Sequence, residues 1–152
     1  MIVKSPEQHI AIFPGSFDPF TLGHLNIVER GLQMFDKIVI AVGVNSAKKE
    51  TTPVKQRIEA IARATSEMSG VEVTSYDGLT VDAARACGAK TILRGVRSVA
   101  DFEYERNLAD LNRAIAGIDT AIICADPALA AISSSAVREL KYYGHDISGF
   151  IP

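Results

Sequence analysis

Pro14-Gly15-Ser16-Phe17-Asp18-Pro19-Phe20-Thr21-Leu22-Gly23-His24 is preceded by Ile10-Ala11-Ile12-Phe13, an apolar run that reads as a first strand, and followed by Leu25 to Phe35, which reads as a helix. A loop of small residues and a Gly-His pair therefore sit where a strand hands over to a helix. In open α/β sheets, ligands bind outside the carboxyl ends of the strands. A helix start adds unpaired N–H groups and the positive end of a dipole, both of which favour phosphate. A histidine placed there can donate a hydrogen bond to a phosphate oxygen.

Working outward, apolar runs alternate with helical periods. Lys37 to Val44 is almost continuously apolar and rich in β-branched residues, as suits a strand covered on both faces. Thr52-Pro53 offers an N-cap and an N1 proline. Ile58, Ile61, Ala62 and Thr65 share one face of the helix that follows, and Gly70 is expected to stop it. Val71 to Ser75 reads as a third strand, Leu79 to Cys87 as a short helix ending at Gly88, and Lys90 to Leu93 as a fourth strand. Val99 to Ala116 reads as a longer helix, Asp119 to Ala125 as a fifth strand, and Ser134 to Tyr142 as a last helix before Gly144. Five strands with helical crossovers predict an α/β fold, a doubly wound five-stranded parallel sheet with helices on both faces. The 152 residues form a single expected domain, 1–152, with no repeat or linker.

Composition narrows the partners. A net charge of −2 argues against a bulk nucleic-acid binder. No run approaches the roughly 18 apolar residues of a membrane span, and the N-terminus lacks a secretory pattern, so a cytoplasmic location is expected. Cys87 and Cys124, each with apolar neighbours and outside any CxxC pair, read as two buried reduced thiols. His9, His24 and His145 have no zinc-ligand spacing.

The residues after each strand carry the chemistry: Gly15-Ser16-Phe17 with His24, then Asn45 to Lys49, Tyr76 to Thr80, Arg94-Gly95-Val96-Arg97, and Ile132 to Ser135. Small residues, hydroxyls and cations recur at one sheet edge, without an acid/base dyad or a nucleophile triad. That inventory suits positioning a phosphate ester and stabilising transition-state charge. Arginine forks match phosphate oxygens, although Asp101, Glu103 or Glu105 can equally hold Arg94 or Arg97 in a salt bridge. Ser133-Ser134-Ser135 is both a capping signal and a phosphate-binding geometry. His24 alone also fits a helix-start histidine satisfied by backbone, Asp18 fits an Asx-type turn, and Tyr142-Tyr143 reads as a packing pair.

Thr21-Leu22-Gly23-His24 resembles the T/HxGH signature of the nucleotidyltransferase superfamily. With NSAKK (45–49), ILRGVRSVADFEYERNLADLNR (92–113) and ISSS (132–135), the chain resembles the bacterial phosphopantetheine adenylyltransferase family over nearly its whole length. The resemblance implies transfer of AMP from ATP to 4′-phosphopantetheine, giving dephospho-coenzyme A and pyrophosphate. It implies that His24 stabilises the transition state at the α-phosphate, that Lys48 and Arg94 hold the attacking phosphate, and that Ser16 contacts both substrates. It puts Thr80 on the pantetheine side. Phe17, Gly95, Val96, Arg97 and Glu105 would bind ATP, while Leu129, Ala130, Ala131, Ile132, Ser133, Ser134 and Ser135 would run along the nucleotide. Mg²⁺ would accompany the triphosphate with no protein ligand assigned, the chain would assemble as a homohexamer, and coenzyme A would compete for the site. Leu129 and Ala131 stand where the family usually carries aromatics, and the chain stops soon after Phe150, where relatives often continue.

Three rivals share part of this pattern. Another cytidylyl- or adenylyltransferase would share the first motif but not RGVRSVADFEYE. A non-catalytic nucleotide sensor would not need His24, Lys48, Arg94 and Arg97 together. An aminoacyl-tRNA synthetase fragment would be larger and carry an anticodon-binding region.

Overall fold

The computed structural model describes residues 7–45, 47 and 52–152. Five strands form one parallel sheet: β1 (Ile10–Gly15), β2 (Lys37–Gly43), β3 (Val71–Tyr76), β4 (Thr91–Val96) and β5 (Asp119–Cys124). Five helices connect or follow them: α1 (Leu22–Gly31), α2 (Val54–Ala64), α3 (Thr80–Ala86), α4 (Val99–Ala116) and α5 (Ser134–Tyr142). A 3₁₀ turn, Pro127–Leu129, precedes α5. The strand order is β3-β2-β1-β4-β5, all pairs parallel. The chain runs outward from β1 in one direction and then returns to start again at β4, so the order reverses between β1 and β4.

Alternation along the central strands explains the two helical layers. Ala11 and Phe13 of β1, Ile38, Ile40 and Val42 of β2, and Leu93 of β4 face one way, packing with Ile27 and Val28 of α1 and Ile61 of α2. Ile12, Ala41 and Ile92 face the other, against Val81 and Ala84 of α3 and Ile118. Each such aliphatic side chain contributes about 1.5–3 kcal/mol when fully buried, which is why these strands read as continuous apolar runs. The doubly wound expectation stands.

Several boundaries differ from the sequence reading. α1 begins three residues early, at Leu22, because Thr21 caps it, and Phe35 follows its end in a turn. α2 has Pro53 at its N-cap position with no side-chain cap, so Thr52 does not play that part. The same helix ends at Ala64, well before Gly70, whose φ of +86° belongs to the turn into β3. β4 runs on to Val96, because Arg94, Gly95 and Val96 continue the ladder with Ile122, Ile123 and Cys124. Gly95 lacks a side chain for a packing reason: a Cβ there would lie 2.9 Å from Ile27 Cγ1. Cys124 is exposed and Cys87 half-buried, which corrects the expectation of two buried thiols. Tyr142 and Tyr143 are 83% and 76% exposed and touch each other edge-on, so they do not pack into the fold.

Candidate active site

Between β1 and β4 only Ala11↔Thr91 and Ile12↔Ile92 are paired, although both strands continue. They part toward their carboxyl ends, at the point where the strand order reverses, as the ligand site of an open α/β sheet requires. The Arg94 side chain bridges the opening, its Nη1 donating to Pro14 O at 2.5 Å. A cavity lies on each side. One, of about 460 Å³, is bounded by Gly43, Asn45, Tyr76, Gly78, Thr80, Glu105 and Asn112. The other, of about 330 Å³, is bounded by Phe17, His24, Gly95, Arg97, Leu129, Ile132 to Ser135 and Arg138. Pro14, Gly15, Ser16 and Arg94 line both.

His24 is held by the first turn of its own helix. Thr21 and His24 form a reciprocal capping box: Thr21 Oγ1 accepts from His24 N at 3.3 Å, and Thr21 N donates to His24 Nδ1 at 3.0 Å. An Nδ1 that accepts a backbone N–H carries no proton in the neutral ring, which assigns the proton to Nε2. Phe20 stacks on the imidazole at 5.5 Å, while Phe17 and Phe13 meet it edge-on at 5.0 and 6.2 Å. Burial first, then the charges of Arg94 and Arg97, push its pKa down to about 4. The ring is thus a neutral donor at physiological pH. Phe17 reaches this cluster with a φ of +49°, in the left-handed region, where a non-glycine residue stores roughly 1–3 kcal/mol.

Both arginines flanking Gly95 carry carboxylate partners. Arg94 Nε and Nη2 bind Glu105 Oε2 and Oε1 at 2.8 and 2.6 Å, a bidentate pair with Glu105 buried. Arg97 Nε lies 3.3 Å from Asp101 Oδ2. The salt-bridge reading therefore holds for both. Glu105, reached from α4, lines the larger cavity and not the His24 cavity.

The three serines are each engaged. Ser133 caps α5 by accepting from Ala136 N at 3.1 Å, Ser134 Oγ donates to Pro19 O at 2.8 Å, and Ser135 Oγ accepts from Arg138 Nη2 at 3.2 Å. The helix-start amides differ between α1 and α5. Leu22 N, first in α1, donates to Phe150 O at 3.0 Å. Among the described residues, the N–H groups of Ser134 and Ser135 have no acceptor in the chain.

The sequence-level candidates sort accordingly. Ser16, Phe17, His24, Arg94, Gly95, Arg97, Leu129 and Ile132 to Ser135 come together around the smaller cavity. Thr80 lies on the larger one, its hydroxyl 3.1 Å from Tyr76 Oη. Val96, Ala130 and Ala131 line neither, and Lys48 lies outside the described residues. Two arginines were missed. Arg57 is 3% exposed and binds Ser16 O at 2.5 Å and Thr52 O at 3.0 Å, tying α2 to the first loop. Nothing in its spacing announces this. Arg138 had a readable signal, since it falls three and four residues after Ser135 and Ser134, on the same helical face. Among the described residues no three His, Cys, Asp or Glu side chains converge as a metal-ligand cluster.

The match to the family model described as Cytidylyltransferase-like spans residues 12–140 and makes the chain a nucleotidyltransferase of that class. A lipopolysaccharide core biosynthesis protein from Thermoplasma volcanium superposes with a TM-score of 0.56 at 19% identity, over 79% of this chain and 98% of that one, and shares the fold. Sequence likeness is closer elsewhere. A phosphopantetheine adenylyltransferase of Porphyromonas gingivalis is 51% identical over 146 residues, 96% of this chain and 95% of that one. Those of Bacteroides fragilis and Crocosphaera subtropica are 48% and 44% identical over 93% and 94% of this chain, and 95% and 92% of theirs. The chain belongs to the phosphopantetheine adenylyltransferase family.

Proposed function

We infer that this chain transfers the adenylyl group of ATP to 4′-phosphopantetheine, forming dephospho-coenzyme A and pyrophosphate in coenzyme A biosynthesis. The observation that carries the reading is the pair of cavities meeting at Ser16 and Arg94. Two anionic substrates must be brought in line, and here they share one wall. We assign the nucleotide to the His24 cavity and the pantetheine arm to the cavity holding Thr80. The acceptor phosphate already carries its negative charge, so no general base is needed, and catalysis is positioning plus charge stabilisation. His24 Nε2–H donates to an α-phosphate oxygen as charge builds there. Arg94, oriented by Glu105, takes the attacking phosphate with Lys48. The amides of Ser134 and Ser135 face the nucleotide phosphates.

Magnesium belongs to this proposal as the counter-ion that ATP carries, held by phosphate oxygens and water, and no residue here is assigned to it. A homohexamer, competition by coenzyme A and a cytoplasmic location are further parts of it. Exposed Val99, Phe102, Tyr104, Leu111 and Ile115 along α4 support a covered surface. No helix among the described residues is long and apolar enough to cross a membrane.

The test is to incubate the protein with Mg²⁺, ATP or CTP, and 4′-phosphopantetheine, nicotinamide mononucleotide or glycerol 3-phosphate, following pyrophosphate and the nucleotidylated product. Dephospho-coenzyme A from ATP and phosphopantetheine alone is expected. Turnover only with another pair overturns the substrate assignment, and ATP binding without any turnover favours the sensor. In the same assay, Arg94→Ala is expected to damage phosphopantetheine use above all. Loss confined to ATP binding would reverse the division between Arg94 and Arg97.

A further inference from the structure

The loop from β1 to α1 is held by its carbonyl oxygens. Arg94 Nη1 donates to Pro14 O at 2.5 Å, Arg57 Nη1 to Ser16 O at 2.5 Å, Arg138 Nη1 to Asp18 O at 2.6 Å and Ser134 Oγ to Pro19 O at 2.8 Å. Arg94, Ser134 and Arg138 line the cavities, where a bound substrate competes for their donors. Of the four, Arg57 is the one that lines neither cavity. It stands behind the loop near the start of α2, 3% exposed, beside the small hollow it shares with Phe17, Asp18 and Phe20. Its Nε donates to Thr52 O at 3.0 Å, so the guanidinium plane is fixed from its own end of α2 while Nη1 reaches the loop. A packed apolar side chain of similar volume often stabilises a fold as well as a buried charge does. What the guanidinium adds is direction.

Direction matters at this peptide because Ser16 lines both cavities. The Ser16 C=O and the Phe17 N–H belong to one planar trans unit and point opposite ways, so a donor fixed on Ser16 O also fixes the Phe17 N–H. That N–H has no acceptor among the described residues. The same plane helps to set the left-handed φ of +49° at Phe17, whose ring meets the His24 imidazole edge-on at 5.0 Å. We propose that Arg57 is a positioning residue for adenylyl transfer: it holds the Ser16–Phe17 peptide in one plane where the two substrates meet, and through Phe17 it steadies His24. The proposal rests on the adenylyl-transfer reading. Arg57 itself touches neither substrate, and its bond to Ser16 O persists whether the cavities are filled or empty.

The experiment compares the parent chain with Arg57→Gln, Arg57→Lys and, as a control on the exposed side of α2, Arg63→Gln. It measures kcat, KM for ATP and KM for 4′-phosphopantetheine, at a temperature where a thermal melt shows each variant folded. Arg57→Gln is expected to lower kcat about 10²-fold, the cost of a small misplacement at the reacting centre, with both KM values within about threefold of the parent. Arg57→Lys should recover about tenfold of that loss, since an ammonium can reach Ser16 O but lacks the fork. Arg63→Gln should match the parent. A lower melting temperature with kcat intact would overturn the proposal and leave Arg57 as a brace for α2. A rise in KM for one substrate with kcat intact would overturn it too, because the effect would then belong to one cavity. If Arg57→Gln does not fold, Arg57→Lys decides: a kcat about tenfold down with both KM values kept supports the proposal, and parent-like kcat overturns it. A parent that uses ATP with another acceptor moves the acceptor assignment, and the same comparison with that acceptor decides for Arg57. A parent with no turnover sinks the adenylyl-transfer reading. The ¹⁵N-resolved Phe17 amide resonance, followed as ATP is added, then decides: its shift must shrink in the variant, and an equal shift would overturn the role of Arg57.

Discussion

Two helices begin beside the His24 cavity, and they use their first turns in opposite ways. α1 closes its own start: Leu22 N is taken by Phe150 O, His24 N by Thr21 Oγ1, and the histidine ring returns to Thr21 N. α5 is capped by Ser133 but leaves the amides of Ser134 and Ser135 without an acceptor in the described chain, with Arg138 one turn on. The first arrangement fixes a side chain; the second offers backbone donors. A helix start next to a site is thus either a mount or a receptor, and which one it is depends on where its first N–H groups go.

Removing the mounted group should have the largest effect. His24→Ala is expected to lower kcat by about 10²- to 10³-fold, the range for one transition-state donor, with ATP affinity nearly unchanged in equilibrium binding. Near-normal turnover would make α1 a scaffold only. Next comes acid stability. His24 has a folded pKa of about 4 against an ordinary 6.5, so folding favours the neutral ring. Its contribution is complete above pH 6.5 and is lost as pH falls toward 4, up to about 3 kcal/mol for that span. Urea denaturation at pH 7.5 and 4.5 should show this loss in the parent and a smaller one in His24→Asn; equal losses would place the acid sensitivity elsewhere.

A smaller effect is expected from Thr21→Val, which removes one half of the capping box. It should cost about 1–2 kcal/mol in a thermal or chemical melt. It should also lower kcat by roughly tenfold, because the Thr21 hydroxyl also lies 3.1 Å from the ring Nδ1 and that second hold on the imidazole is lost. Loss of stability with kcat intact would show that the aromatic packing alone orients His24. Ser133→Ala should have the smallest effect, about 1 kcal/mol of helix cap, felt in KM for ATP more than in kcat. If it instead depresses kcat as His24→Ala does, the distinction between mount and receptor fails.

The layered sheet was legible because fully covered parallel strands are written as apolar runs, and α4 and α5 matched their expected bounds because Ser98 and Ser133 cap them. β4 was read short because polar Arg94 and small Gly95 do not look like strand residues; one reaches across a strand gap, and the other makes room for Ile27. α1 was read late because its capping box uses His24 where Glu or Gln is the usual N3 partner. The loops that gather at the strand ends were readable in order. The pairing of Arg94 with Glu105, among the three acids considered, needed the geometry, since it joins residues on a strand and a helix. Arg57 was invisible because a buried arginine that binds carbonyl oxygens leaves no pattern in composition or spacing.

The hydrogen bond from Leu22 N to Phe150 O has a practical side. Ile151 and Pro152 also line a small hollow with Phe17, Phe20 and Arg57, so Phe150 to Pro152 fasten the turn that carries His24. Proteolysis that removes Phe150 would release that fastening without touching the sheet. An enzyme preparation clipped there would look folded by circular dichroism and yet assay as damaged.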